Sequence, residues 1–171
     1  MGKNQKKKGG AEWFTPPDII QLARQVMGDI ALDPASCDAA NQIVRARRIF
    51  TEQYDGLSQP WIADALWLNP PYAAPMVKAF VRKLMDEVTA GNVKEAILLV
   101  TPATDAAWWQ QLWRLPICFV RGRIKFVSSD GSRPDNPTHA SAFVYLGPNA
   151  ASFAAVFGGI GHIVLPSRSV A

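Results

Sequence analysis

The sequence predicts an open α/β fold: a mostly parallel central sheet with helices on both faces and an antiparallel C-terminal part. Three observations carry this expectation. Strand-like and helix-like segments alternate early in the chain, whereas strand-like segments crowd together late. The run "EAILLV" is continuously apolar after its first residue, as in a parallel strand covered on both faces. Three strand-like segments also end in a polar residue followed by proline: Asp33-Pro34, Asn69-Pro70 and Thr101-Pro102. Open α/β sheets bind ligands beyond the carboxyl ends of their strands, so these three groups mark one composite site.

Each element has its own warrant. "TPPDIIQLARQVM" reads as a helix with Thr15 as cap, prolines in the first turn, and Ile19, Leu22, Ala23 and Val26 at helical spacing. "DIALDPAS" is a buried strand that stops at Asp33, and a helix is expected from Cys37 to about Arg48. "ADALWLNPPY" and "EAILLVTPA" are the next two strands. "TDAAWWQQLWR" reads as a helix, with Trp109 and Trp113 four residues apart; Trp108, Trp109 and Trp113 are expected in the core. "ICFVRGRIKFV" and "SAFVYLG" are strands, "AASFAAVF" a helix and "HIVLP" a last strand. Between Asp33 and Asn69 there is room for one helix and a short strand or two, near "RIF" and "GLS", so the sheet is expected to be trimmed.

At 171 residues the chain fits one domain. A hydrophobic content of 49% with six Trp and eight Phe excludes a disordered protein. The domain is expected over residues 11–166, between a flexible Lys-rich tail (1–10) and a C-terminal tail (167–171). The net charge of +4 comes from Lys3, Lys6, Lys7 and Lys8 in that tail; the body is balanced, so a nucleic-acid face must arise by local clustering. The basic start has no apolar segment behind it, as a secretory signal would, and "AASFAAVFGGIGHIVL" is short of the ~20 residues of a membrane span. Cys37 and Cys118 stand apart and read as thiols in a reducing, cytoplasmic setting; His139 and His162 offer no metal spacing.

The chemistry is concentrated in "LWLNPPY". Two prolines fix the backbone and remove two N–H donors, leaving carbonyls outward. Asn69 then presents its side-chain oxygen beside the Pro70 carbonyl, two acceptors for the two hydrogens of a planar amino group. Accepting both localises the nitrogen lone pair, an effect that strengthens toward a transition state. Tyr72 adds a flat face on which a heterocycle can stack.

This segment resembles the catalytic motif of amino-methyltransferases that use S-adenosylmethionine. The ordered set "EWFTPPDII", "ALDPAS" followed by Asn41, "YDGL", Trp61, "LWLNPPY" and "VRGRIKF" is similar to the phage-type, Dam-like DNA N6-adenine methyltransferases, over Glu12 to about Leu146. The resemblance implies a trimmed Rossmann-like methyltransferase fold and methyl transfer to adenine N6 in DNA, with S-adenosylmethionine as cofactor and no metal. It implies that Asn69, Pro70, Pro71 and Tyr72 are catalytic. It places Trp13, Phe14, Thr15 and Pro16 at the methionine end of the cofactor, where the Thr15 hydroxyl and free N–H groups of the helix start suit a carboxylate. Asp33, with Pro34 and Ala35, stands where a glycine-rich cofactor loop is usual and would meet the ammonium group. Asp55 and Leu57 match the segment near the cofactor adenine, and Asn69 also borders the cofactor. The chain departs from the wider pattern in lacking Gly-x-Gly after the first strand.

DNA as partner requires the target base to be flipped out of the stack. Base reading is then expected from "SSDGSRPDNPTHA", with Arg133 and Asn136 able to pair with base edges. Arg45, Arg47 and Arg48 could touch phosphate. Arg121, Arg123 and Lys125 are expected to share one side of a strand and line the groove. The resemblance places "GRIKF" at the target-base pocket and so makes Phe126 a stacking candidate, beside the alternative that it packs in the core. The resemblance makes GATC the first target to try. Two alternatives stand beside the leading one: an amino-methyltransferase acting on RNA or protein glutamine, and a DNA-binding protein of this fold that no longer turns over.

Overall fold

The computed structural model describes residues 13–128 and 139–166. Both tails and the residues 129–138, with Arg133 and Asn136, lie outside the described residues.

Nine strands and five helices follow in the order β1 (Trp13–Phe14), α1 (Pro17–Met27), β2 (Leu32–Asp33), α2 (Asp38–Val44), β3 (Arg48–Ile49), β4 (Ala63–Leu68), α3 (Ala74–Thr89), β5 (Val93–Val100), α4 (Ala107–Gln110), β6 (Ile117–Val120), β7 (Val127–Ser128), β8 (Ala142–Leu146), α5 (Ala150–Phe157) and β9 (Gly161–Val164), among the described residues. Seven of these strands form one sheet in the order β3-β2-β4-β5-β8-β6-β9, while β1 and β7 pair separately. The pairs β2–β3, β2–β4 and β4–β5 are parallel, and β5–β8, β8–β6 and β6–β9 antiparallel. This is the expected α/β sheet with its antiparallel end, a trimmed Rossmann-like arrangement.

Alternation along the central strands makes both faces apolar, and a helical layer covers each. Leu66 and Leu68, Ala96, Leu98 and Val100, and Ala142 and Val144 share one core with Val77, Phe80, Val81 and Leu84 of α3. Trp67, Ile97 and Leu99, and Phe143 and Tyr145 point the other way, into a core with Ile19, Ile20 and Ala23 of α1 and Phe153 and Phe157 of α5. Helix α3 was absent from the elements expected above, although its buried residues recur at three- and four-residue spacing.

Several local expectations are corrected. Thr15 does not cap α1: Pro16 is the cap residue, with no side-chain capping bond. Helix α2 stops at Val44, well short of Arg48, because Arg45 turns left-handed at φ 54°. Asn41 clamps that turn, its Oδ1 accepting from Ala46 N at 2.7 Å and its Nδ2 donating to Ala46 O at 3.2 Å. Arg24 of α1 closes the same helix end by donating to the carbonyls of Val44 and Arg45. "RIF" contributes the short strand β3, whereas "GLS" is a turn. "ICFVRGRIKFV" is not one strand: Gly122 at φ 79° ends β6, and the chain returns as β7 to pair with β1. Arg121, Arg123 and Lys125 therefore do not line one strand, although all three are exposed.

The amino end of β5 is locked. The buried Tyr145 hydroxyl donates to Glu95, and Asn149 bonds both, through its N–H to Tyr145 Oη at 2.8 Å and its Nδ2 to Glu95 Oε1 at 3.1 Å. Gly147 passes so close that a Cβ there would sit 2.7 Å from the Tyr145 oxygen. Among the described residues, no helix is long and apolar enough to cross a membrane.

Candidate active site

Strands β2, β4 and β5 are parallel neighbours, so Asp33-Pro34, Asn69-Pro70 and Thr101-Pro102 emerge side by side at one end of the sheet. The chain runs outward from β2 to β3 and then crosses back to β4 on the other side of β2. The crevice opened by such a reversal lies between the loops carrying Asp33 and Asn69.

Asn69 follows directly on β4 and is half-buried; Pro70 is buried, and Pro71 and Tyr72 are exposed. Both ends of the Asn69 amide are engaged. Its Oδ1 accepts from the Tyr72 hydroxyl at 2.9 Å, and its Nδ2 donates to Thr15 Oγ1 at 3.3 Å. The Tyr72 ring remains 40% exposed, while desolvation pushes its hydroxyl pKa up, so it stays protonated and able to donate.

Thr15 is buried between β1 and α1. The two prolines that open the helix bring no N–H, and the N–H groups of Ile19 and Ile20 both bond to the Pro16 carbonyl. The expected row of free donors at the helix start is thereby reduced. Strand β1 is held by its pairing with β7, Trp13 opposite Ser128 and Phe14 opposite Val127, which seats Phe126 beside the same ribbon. Trp13 is 46% exposed, whereas Phe14 is buried. Phe126 is half-buried and packs on the α1–α5 core.

Asp33 is 3% exposed. Desolvation drives its carboxyl up to about 7 from an ordinary 3.8, and the Ala35 N–H, donating at 3.2 Å, opposes this. Ser36 Oγ lies near enough to help hold the pKa down but makes no hydrogen bond of ordinary geometry among the described residues, and it is buried. Next to this loop runs the "DGL" turn, so close that a Cβ on Gly56 would stand 2.0 Å from the Pro34 carbonyl oxygen. Asp55 is left-handed at φ 46°, exposed, and accepts from Leu57 N through Oδ1 at 3.2 Å. Trp61 anchors the turn from beneath: its buried indole N–H donates to the Gly56 carbonyl at 2.7 Å, and its ring stacks on Phe80. The sequence marked Trp61 without showing this bond, and it carried Ser36 within "ALDPAS" without showing its place beside Asp33.

Comparison with known proteins bears on the chemistry of the chain as a whole. A family profile described as DNA N-6-adenine-methyltransferase (Dam) matches residues 2–154. The chain belongs to the Dam family. A protein named DNA N-6-adenine-methyltransferase from Haemophilus phage HP1 (strain HP1c1) is 24% identical over 155 residues, spanning 88% of this chain and 87% of that protein. Another of the same name, from Escherichia phage T1, is 26% identical over 98 residues, 57% of this chain and 38% of that protein. No solved structure matches. Membership in the Dam family assigns the chain to the enzymes that methylate adenine of DNA at N6, with S-adenosylmethionine as the general donor of such methyltransferases. The residues present are compatible with that donor: Asp33 is a buried carboxyl with no ion-pair partner among the described residues, its pKa raised by desolvation, and a cationic group beside it would favour its charged form.

Not every candidate lies at this crevice. Arg47 and Arg48 stand at the amino ends of the strands, with Lys94 and Asp64, around a shallow groove of about 460 Å³. Arg47 pairs with Asp29 at 3.2 Å, and Arg48 donates to the Ile62 carbonyl at 2.7 Å. These arginines sit at the end of the sheet opposite Asn69. Trp109 is fully buried, as expected, with Trp108 and Trp113 edge-on to it, though Trp113 remains 39% exposed. Among the described residues, no three His, Cys, Asp or Glu side chains gather as a metal site would need.

Proposed function

We propose that Asn69 and the Pro70 carbonyl receive the N6 amino group of an adenine extruded from DNA, with the donor held by the loops of Asp33 and Asp55. The observation that carries this reading is the hydrogen-bonded chain Tyr72–Asn69–Thr15 at the end of β4, beside the buried Asp33 of β2. Extrusion costs a few kcal/mol, offset in part by stacking on the exposed Tyr72 ring at about 1–3 kcal/mol. The amine displaces the Tyr72 hydroxyl from Asn69 Oδ1. With both N–H bonds directed at fixed acceptors, the nitrogen lone pair is drawn out of conjugation and becomes nucleophilic.

S-adenosylmethionine would supply the electrophilic methyl group. Asp33 is the counter-charge for its ammonium, Pro34 and Ala35 shape the loop, and Trp13, Phe14 and Pro16 flank the methionine end. Asp55 and Leu57 border its adenine. Arg123 and Phe126, and Arg133 and Asn136 in the following segment, are the proposed DNA contacts, with GATC as the first target sequence to try.

The test is to incubate the protein with labelled S-adenosylmethionine and DNA, digest to nucleosides and identify the labelled species. Label in N6-methyladenine is expected. Label in cytosine, or in RNA or protein offered in competition, would reject the proposed substrate.

A further inference from the structure

We infer that Thr15 is a positioning residue for Asn69, fixing which end of its amide faces the target amine; this rests on the transfer proposed above. A carboxamide has an acceptor and a donor of nearly equal size. Only the acceptor end can receive an amino group, because the donor end would set N–H against N–H. An Asn at this position therefore needs a partner that tells the two ends apart.

Thr15 is that partner. Its Oγ1 lies 3.3 Å from Asn69 Nδ2, while the Tyr72 oxygen lies 2.9 Å from Oδ1. Each hydroxyl can donate or accept, so the direction rests on the arrangement seen here, in which Nδ2 donates to Thr15 and Oδ1 accepts from Tyr72. The chain then runs one way, Tyr72 to Asn69 to Thr15, and an incoming amine can replace Tyr72 without reversing it. Thr15 is 4% exposed and makes no capping bond to α1, so its hydroxyl serves Asn69 rather than the helix end. Its place is fixed from both sides. Phe14 is laddered to Val127, and the helix begun at Pro16 is buried through Ile19, Ile20 and Ala23.

Thr15→Val keeps the shape and removes the acceptor; Thr15→Ser keeps the acceptor. Steady-state methylation of DNA, calorimetry with S-adenosylmethionine and thermal melting are measured for both variants and the parent. The expected result for Thr15→Val is kcat lower by about ten- to a hundred-fold, the range typical when a residue orienting an active group is lost, with cofactor affinity and melting close to parental values. Thr15→Ser should restore most of kcat. Should Val disturb the packing, Thr15→Ala repeats the comparison against Thr15→Ser. Parental turnover in Thr15→Val overturns the inference, as does a loss confined to cofactor affinity, which would give the hydroxyl to the donor. Failure of Ser to rescue assigns the effect to packing and overturns it too. A parent protein that leaves adenine unlabelled instead overturns the transfer reading itself.

Discussion

The Tyr72 hydroxyl donates to the side-chain oxygen of Asn69 at 2.9 Å, so the acceptor proposed for the target amine is already in use before DNA arrives. Binding is then an exchange of one donor for another. Tyr72→Phe keeps the ring and frees the acceptor; it is expected to lower KM for DNA with kcat retained. Tyr72→Ala loses the stacking face as well, about 1–3 kcal/mol or roughly five- to 160-fold in kcat/KM. Steady-state kinetics on both variants decides, and equal losses would show that the hydroxyl does more than mask Asn69.

Asn69→Ala removes the proposed amine acceptor and, on the scale of other lost transition-state hydrogen bonds, should reduce kcat by about 10²–10³. Calorimetry should find S-adenosylmethionine still bound. Turnover at the parental rate would remove Asn69 from the chemistry.

Asp33 makes stability and cofactor binding depend on pH in opposite senses. Its folded pKa of about 7 lies above the ordinary 3.8, so the folded chain holds a proton that the unfolded chain releases. Stability is therefore full at the acid end of that window and falls as pH rises through it, by up to about 4 kcal/mol from this group. Asp33→Asn should abolish the slope and raise Tm above neutrality. An ammonium ligand needs the charged form, so S-adenosylmethionine affinity should climb by up to about tenfold per pH unit toward 7 and then level off. Melting curves and calorimetric titrations across this range test both halves.

Gly56→Ala places a methyl 2.0 Å from the backbone oxygen of Pro34, which has no rotamer by which to retreat. The expected cost is about 1–3 kcal/mol, with weaker cofactor binding as the two loops part. Trp61→Phe removes the N–H that holds the Gly56 carbonyl, and should destabilise the fold and loosen the same turn by about 1 kcal/mol or more. Thermal melting and calorimetry on the two variants measure these effects.

Much of the sheet was legible because its signals are local: the apolar run ALWL in β4, an unbroken apolar run in β5, and proline after a polar residue at the ends of β2, β4 and β5. Asn69 and Tyr72 were legible for the same reason, as a rigid corner of few meanings. Helix α3 escaped despite a local periodic signal, whereas most of what else escaped depends on where the chain goes next or on partners distant in sequence. The β1–β7 ribbon joins the first strand to one that lies between β6 and β8 in the chain, and no periodicity in two-residue strands announces it. The break at Gly122 was hidden inside an otherwise strand-like run, since its left-handed φ follows from where the chain must go next. Thr15 carried a helix-start signal that the following proline took over, leaving the hydroxyl to a side chain 54 positions away.

The ladder between β2 and β4 acts as a ruler. Leu32 is level with Leu66, so Asn69 projects two residues beyond the height of Asp33, on a strand about 4.8 Å to the side. Backbone pairing thus sets the offset between the proposed donor anchor, Asp33, and the proposed amine acceptor, Asn69. That spacing depends on one strand pair alone, so it does not require any strand farther out in the sheet.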